Sequence, residues 1–181
     1  RVRAKIALKQ WNPDTPYMAQ LKVKSDKELY ATYLTIKEEY NDTPSFYLDV
    51  ASLFEDRKMK KEALIILSNL AEMEIEDYRL LRVLANRLRQ LEYNDYAIDF
   101  FKKVLELRPF EPQSFRDLGL TYADKGQYQE SIDALYEIVK RSWDGRFPEI
   151  EVIALEEMNR VIAHAKRNGK TPDLSDIDKR L

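Results

Sequence analysis

The sequence predicts an all-α chain assembled from a repeated helical hairpin, and three observations lead there. Apolar residues recur at helical spacing through most of the chain. Only 4 of the 181 residues are Gly and 7 are Pro, too few for the many turns of a β-rich fold. One pattern returns three times at a spacing of 34 residues, without a gap, in 44–77, 78–111 and 112–145.

Composition supports a folded chain and removes several function classes. Hydrophobic residues make up 44% and charged residues 34%, too apolar for intrinsic disorder, and 181 residues suffice to bury a core. A net charge of -2 and a pI near 5.7 give no general attraction to nucleic acid or to an anionic membrane. No stretch is apolar over the length of a membrane span, so direct membrane insertion is not expected. The absence of cysteine excludes disulfides, thiolate metal sites and cysteine nucleophiles.

From the N-terminus, residues 1–24 read as an arm. Arg1 to Leu8 alternates basic and apolar residues as an extended strand does, Pro13 and Pro16 interrupt the chain, and Thr15 with Pro16 can open a short helix. The arm holds Arg1, Arg3, Lys5, Lys9, Lys22 and Lys24 against Asp14 alone, a local charge of +5, which leaves -7 for the remainder. Such a run is either solvated or offered to an acidic partner. In 25–43, Ser25 with Glu28 forms a capping-box signature that opens a helix over about 26–40. Leu29, Tyr33 and Ile36 sit at the positions of a repeat's second helix, which makes this a half repeat.

The repeats follow. Tyr47, Val50, Ala51, Phe54, Ala63, Leu67 and Leu70 carry the pattern in 44–77, and Leu81, Leu84, Ala85, Leu88, Ala97, Phe101, Val104 and Pro109 carry it in 78–111. Small residues (Ala51, Ala85, Gly119, then Ala63, Ala97, Ser131) mark where two helix backbones approach closely, and large ones fill the gaps beside them. These apolar and aromatic groups are accordingly core, not cofactor ligands. Three departures loosen the pattern. Lys58 and Glu92 stand at the turn glycine, Lys60 and Asn94 at the second tyrosine, and Ile75 and Trp143 at the closing proline.

The third copy, EPQSFRDLGLTYADKGQYQESIDALYEIV, is clearest. Phe115, Leu118, Gly119, Tyr122, Gly126, Tyr128, Ser131, Leu135 and Ile138 fall where the tetratricopeptide motif has an aromatic, Leu, Gly, Tyr, Gly, Tyr, Ala, a large apolar and a small or apolar residue. The run resembles that family. The resemblance implies a right-handed α-α superhelix, a tetratricopeptide (TPR) solenoid of about three repeats plus flanking helices, with a concave groove used for binding.

In 146–169, Pro148 opens a further helix on which Ile150, Ile153, Ala154, Met158, Val161, Ile162 and Ala165 form one apolar stripe, ending near Asn168 and Gly169. It would cap the solenoid. Residues 170–181 read as a tail or a linker. WNPDTPY near the start and DLSDIDKRL at the end resemble the flanks of the tetratricopeptide region in multidomain bacterial proteins. Those proteins carry an inter-α-trypsin-inhibitor-type (VIT) domain upstream and a β-rich domain of unknown function downstream. With Arg1 in first place, the resemblance implies a module of a longer chain, exported or in the cell envelope, the alternative being cytoplasmic.

Little in the sequence points to catalysis. A triad needs a nucleophile, a base and an orienting acid together, and His164, the only histidine, lies near a helix C-terminus where its cation suits the helix dipole. One His and no Cys make a metal site unexpected. Without a GxxxxGK[ST] or GxGxxG run no phosphate cradle is evident, so no cofactor is expected. Glu38 with Glu39 and Glu156 with Glu157 read as solvated surface pairs.

What remains is the groove. By the family's pattern, the first helix of each repeat lines it with Ser45, Leu48, Ser52 and Glu55, then Arg79, Arg82, Asn86 and Arg89, then Gln113, Arg116, Leu120 and Ala123. Arginine holds carboxylates in bidentate fashion and asparagine bonds a peptide backbone. Arg79, Arg82, Asn86, Arg89, Gln113 and Arg116 are therefore the candidate site, with a protein or an acidic or C-terminal peptide as partner. Arg82 and Asn86 match two positions of the family's carboxylate clamp, which Asp117 leaves incomplete. In the alternative, the arginines pair with Glu55, Asp117 and Asp124 to set repeat orientation, and the chain is an architectural spacer. A monomer is the favoured state, with pairing through the apolar cap as the other option.

Overall fold

The computed structural model describes residues 14–177 apart from 74 and 144; the expected extended segment Arg1–Leu8 lies outside these. The fold is all-α, with no strand among the described residues. Helices run over Pro16–Lys22 (α1), Asp26–Ile36 (α2, followed by a 3₁₀ turn at Lys37–Tyr40), Pro44–Asp56 (α3), Lys60–Glu72 (α4), Tyr78–Gln90 (α5), Asn94–Leu107 (α6), Pro112–Asp124 (α7), Tyr128–Lys140 (α8) and Ile150–Arg167 (α9). The chain divides into two compact units, one ending at Met73 and the other beginning at Glu74.

The helix starts keep the period of the sequence. α3, α5 and α7 begin at Pro44, Tyr78 and Pro112, and α2, α4, α6 and α8 at Asp26, Lys60, Asn94 and Tyr128, each 34 residues after the last. The turns inside the hairpins are equally regular. After α3, α5 and α7 the chain enters the left-handed region at Lys58 (φ 64°), Glu92 (φ 65°) and Gly126 (φ 79°). The next amide then bonds back across six residues, Met59 to Phe54, Tyr93 to Leu88 and Gln127 to Tyr122, each at 2.9 Å. This is the Schellman closure of a helix, which glycine normally supplies. Two of the three turns hold it with a lysine and a glutamate.

In the first unit, Pro16 at the first turn of α1 suits a helix start, and Tyr17, Met18 and Leu21 are buried. At α2, the Glu28 carboxylate accepts the Ser25 amide at 3.3 Å and its hydroxyl at 2.5 Å. The helix expected to reach residue 40 tightens to a 3₁₀ turn over its last four residues. Leu29, Tyr33 and Ile36 are buried as their second-helix phase requires. The core is aromatic: the Tyr33 ring lies 6.0 Å from Phe46 and 6.3 Å from Phe54, and Tyr17 meets Tyr40 and Phe46 edge-on.

In the second unit, α5 packs on α6, α7 on both α6 and α8, and α9 on α8. Ala85, Ala97 and Ser131 are fully buried at the close approaches. A Cβ at Gly119 would lie 3.0 Å from Leu135 Cγ and 3.3 Å from the Ser131 carbonyl oxygen, so this crossing leaves no room for a side chain. Trp143, where proline is usual, is buried against Phe115 with its ring nitrogen donating to the Ile138 carbonyl at 2.8 Å.

α9 starts at Ile150, two residues after Pro148, and buries Ala154, Met158, Val161 and Ala165. Ile153, expected on that stripe, is 38% exposed, because one helical step from Ala154 rotates it off the packed face. The Lys170 amide bonds the Ala165 carbonyl at 2.9 Å with Gly169 at φ 68°, ending the helix where expected. From Lys170 through Ile177 the chain is tied to the unit. Gln129 exchanges two hydrogen bonds with the Asp173 backbone, at 2.7 and 3.1 Å, and Ile177 packs on the core of the unit.

Candidate binding face of the second unit

The candidate residues lie on α5 and α7, and each basic one is held by a carboxylate of the same unit. Arg82 is the most engaged. Its Nη2 donates to Glu111 Oε2 at 3.1 Å and to Ser114 Oγ at 3.0 Å, and its Nε lies 3.2 Å from Asp117 Oδ2, an ion pair without hydrogen-bond alignment. Arg89 donates to Asp124 Oδ2 at 2.5 Å. Arg116 grips Glu157 of α9 with two nitrogens, at 2.8 and 2.6 Å. Arg79 stays on its own helix and pairs with the cap residue Asp77 at 3.3 Å.

The two amides are also engaged. Asn86 donates to the Arg82 carbonyl at 2.9 Å, and Gln113 donates to Asp117 Oδ1 at 2.6 Å. The pairs with Asp117 and Asp124 are two of the three expected on the spacer alternative; Glu55 belongs to the first unit. Tyr78 adds an aromatic anchor, with the Arg108 guanidinium 4.4 Å from its ring centre and Arg82 at 5.9 Å.

Burial sets the electrostatics of this network. Asp117 is 6% exposed, and its removal from water raises its pKa above the ordinary 3.8, against the lowering effect of the Gln113 bond and of Arg82, Arg116 and Arg89. At Glu111 partial burial pushes the pKa upward as well, but the hydrogen bonds from Arg108 and Arg82 prevail and hold it below its usual value. The Arg116 guanidinium is held above its ordinary range chiefly by the hydrogen bonds to Glu157. Among the described residues no three His, Asp or Glu side chains gather in a way that could hold a metal ion.

One expectation is corrected here. Glu157, read with Glu156 as a solvated pair, is 5% exposed and carries the contact between α7 and α9. Its place one residue before Met158 puts it beside the packed stripe, beneath Arg116. Glu111 and Arg160, both unassigned from the sequence, also join the network: Glu111 bridges Arg82 and Arg108, and Arg160 approaches Glu157 at 3.8 Å. Helical phase could have singled out Glu157, and the three-residue step from Arg108 marks one partner of Glu111 but not Arg82.

Two clefts open on this unit. One, of about 580 Å³, lies between α7 and α9 and is lined by Leu120, Glu157, Arg160, Val161, His164 and Arg167 among others. The other, of about 750 Å³, is bordered by Arg89, Asn94, Asp124, Lys125 and Tyr128 and shares His164 with the first. His164 is exposed, with its ring edge-on to Tyr128 at 5.5 Å.

No family model matches the chain, and no curated protein matches it either. Among solved structures it aligns with two crystal structures titled MamA. One is 13% identical with a TM-score of 0.41, over 79% of this chain and 90% of that one. The other is 14% identical with a TM-score of 0.42, over 84% and 92%. Likeness at this level adds nothing to the functional reading, which rests on the residues above.

Proposed function

We propose that the chain is a protein-interaction scaffold that holds a segment of another polypeptide on the α5, α7 and α9 face of its second unit. The observation that carries the reading is the pair of adjoining clefts there, rimmed by arginines and amides over a floor that includes Leu120, Ala123 and Val161. Of the candidate residues Arg89 lines one of these clefts, Arg79, Arg82, Asn86, Gln113 and Arg116 lie on the same two helices α5 and α7, and their donors suit carboxylates and peptide carbonyls. A pre-set ion network is a rigid platform, since its side chains are already ordered before a partner arrives.

A second reading is favoured by a specific observation: each of the four arginines is already paired inside the unit. On that reading the network sets helix orientation, and the chain is a spacer in a longer protein of the multidomain bacterial type, with no ligand on the face. Affinity capture from lysate of the source organism, with the intact chain beside an Arg82→Ala/Arg89→Ala variant shown by circular dichroism to be folded, separates the two. A partner retained by the first and lost by the second is the expected result. Equal retention, or no partner at all, favours the spacer.

A further inference from the structure

We infer that the α7–α9 cleft is where the partner is anchored, and that it takes an acidic segment bearing a large apolar side chain, with Arg160 and Arg167 as the anion-binding groups. This rests on the scaffold reading and adds a place and a partner chemistry to it.

The argument starts from helix phase. Glu157, Arg160, His164 and Arg167 recur at three- and four-residue steps along α9, so they share one stripe beside the buried stripe of Ala154, Met158, Val161 and Ala165. The stripe faces a cleft of about 580 Å³ whose opposite wall includes Leu120 of α7. Leu120 is half-buried and Val161 is 6% exposed, and with exposed Ala163 they give the cleft an apolar lining.

The charges do not cancel. Glu157 is the only acidic residue of the lining, and both its oxygens are taken by Arg116 at 2.6 and 2.8 Å. Arg160, whose side chain is 69% exposed, has among the described residues only this already neutralised carboxylate within reach, at 3.8 Å. Arg167 makes no ion pair among the described residues. Arg167 and His164 also complement the C-terminal end of the α9 dipole, but Arg160, two turns from that end, owes nothing to it. Among the described residues, Arg167 thus has no carboxylate partner and Arg160 only a share in one that Arg116 already holds, beside an apolar lining, in a chain of net charge -2. A segment combining Asp or Glu with Leu or Phe would supply both kinds of contact. The α5 arginines, each with a partner in place, have less to offer such a ligand.

The test is a fluorescence-anisotropy titration of the full chain with a labelled peptide alternating Glu and Leu, beside peptides in which Lys replaces Glu or Ser replaces Leu. Only the Glu–Leu peptide should bind, more weakly as salt rises. An Arg160→Glu/Arg167→Glu change, at exposed positions outside the core, should weaken it at least about tenfold. A Lys102→Glu/Lys103→Glu change of the same charge, at exposed positions of α6 outside this face, should leave it within about twofold. Equal binding by the Arg160→Glu/Arg167→Glu variant, or equal binding of the Lys–Leu peptide, would overturn the inference and leave the scaffold reading intact. If no peptide binds but affinity capture yields a partner dependent on Arg82 and Arg89, the inference fails alone. If neither binds, both fail.

Discussion

Hairpins α3–α4 and α5–α6 share one 34-residue template, yet they present opposite kinds of surface. On α3 the groove-face positions Leu48 and Ser52 are buried, and neighbouring Asp49 accepts a 2.7 Å hydrogen bond from Tyr17 of α1. On α5 the equivalent positions are Arg82 and Asn86, both half-buried, and the helix carries a run of charge. The packed face of the template is nearly invariant, with Ala51 and Ala85, Phe54 and Leu88, and Leu67 and Phe101 all buried. The template therefore specifies how helices pack and leaves the remaining face free to be covered or opened, and in the second unit it is open.

The comparison breaks first at its shared part. Phe54→Ala and Phe101→Ala should each cost about 3–5 kcal/mol, because both rings are fully buried and truncating them leaves a cavity. Urea unfolding of the two variants checks this. A loss well under 1 kcal/mol for either would mean that the two units do not rest on the same packing.

At the open face, Arg116→Ala strands the Glu157 carboxylate under α7 with only Arg160 at 3.8 Å to compensate. It should cost about 3 kcal/mol, and Glu157→Gln in the same background should restore part of that. No rescue by the double variant would show that the ion pair matters only through packing.

The turns offer a sharper comparison across repeats. Lys58 and Glu92 hold a left-handed φ that Gly126 adopts without strain. Lys58→Gly and Glu92→Gly should each raise stability by about 1 kcal/mol, and Gly126→Ala should lower it by about as much through φ alone, since the nearest atom to an added Cβ is 4.0 Å away. Thermal unfolding of the three variants reads the sign directly.

The smallest effect concerns pH. Burial raises the Asp117 pKa, so the folded state favours its protonated form, and the penalty for ionising it sets in as pH climbs above the ordinary 3.8. Asp117→Asn should thus be as stable as the parent or slightly more so at neutral pH, the gap closing as pH falls toward 3.8. Glu111, held below its usual value, acts oppositely: its contribution is present at neutral pH and is lost on acidification. A marked loss of stability in the Asn variant at neutral pH would mean that the Arg82 pair outweighs desolvation.

Much of this fold was legible because a 34-residue period writes itself into small residues at fixed places, and those places are where the helices touch. The repeat phase also set Lys58 and Glu92 at the turn-glycine position, and the helices on either side impose there a left-handed φ that neither residue type favours. Other features escaped for physical reasons. The carboxylates paired with Arg82, Arg89 and Arg116 include Glu111, Asp124 and Glu157, 29, 35 and 41 residues away, so no local pattern links these pairs, whereas Arg79 pairs locally with Asp77. Glu157 beside Glu156 looked like solvated charge until α9 was placed on α8. The face residues could be named from the repeat phase, but their carboxylate partners depend on tertiary packing.

A polypeptide held on the open face of the second unit should be captured there. A photo-crosslinking amino acid placed at Ala163, on the α7–α9 cleft, and separately at Ile65, an exposed position of α4, reads this in lysate of the source organism. A discrete crosslinked protein is expected from position 163 and none from position 65. The same adduct from both positions, or an adduct from position 65 alone, would rule out binding on this face.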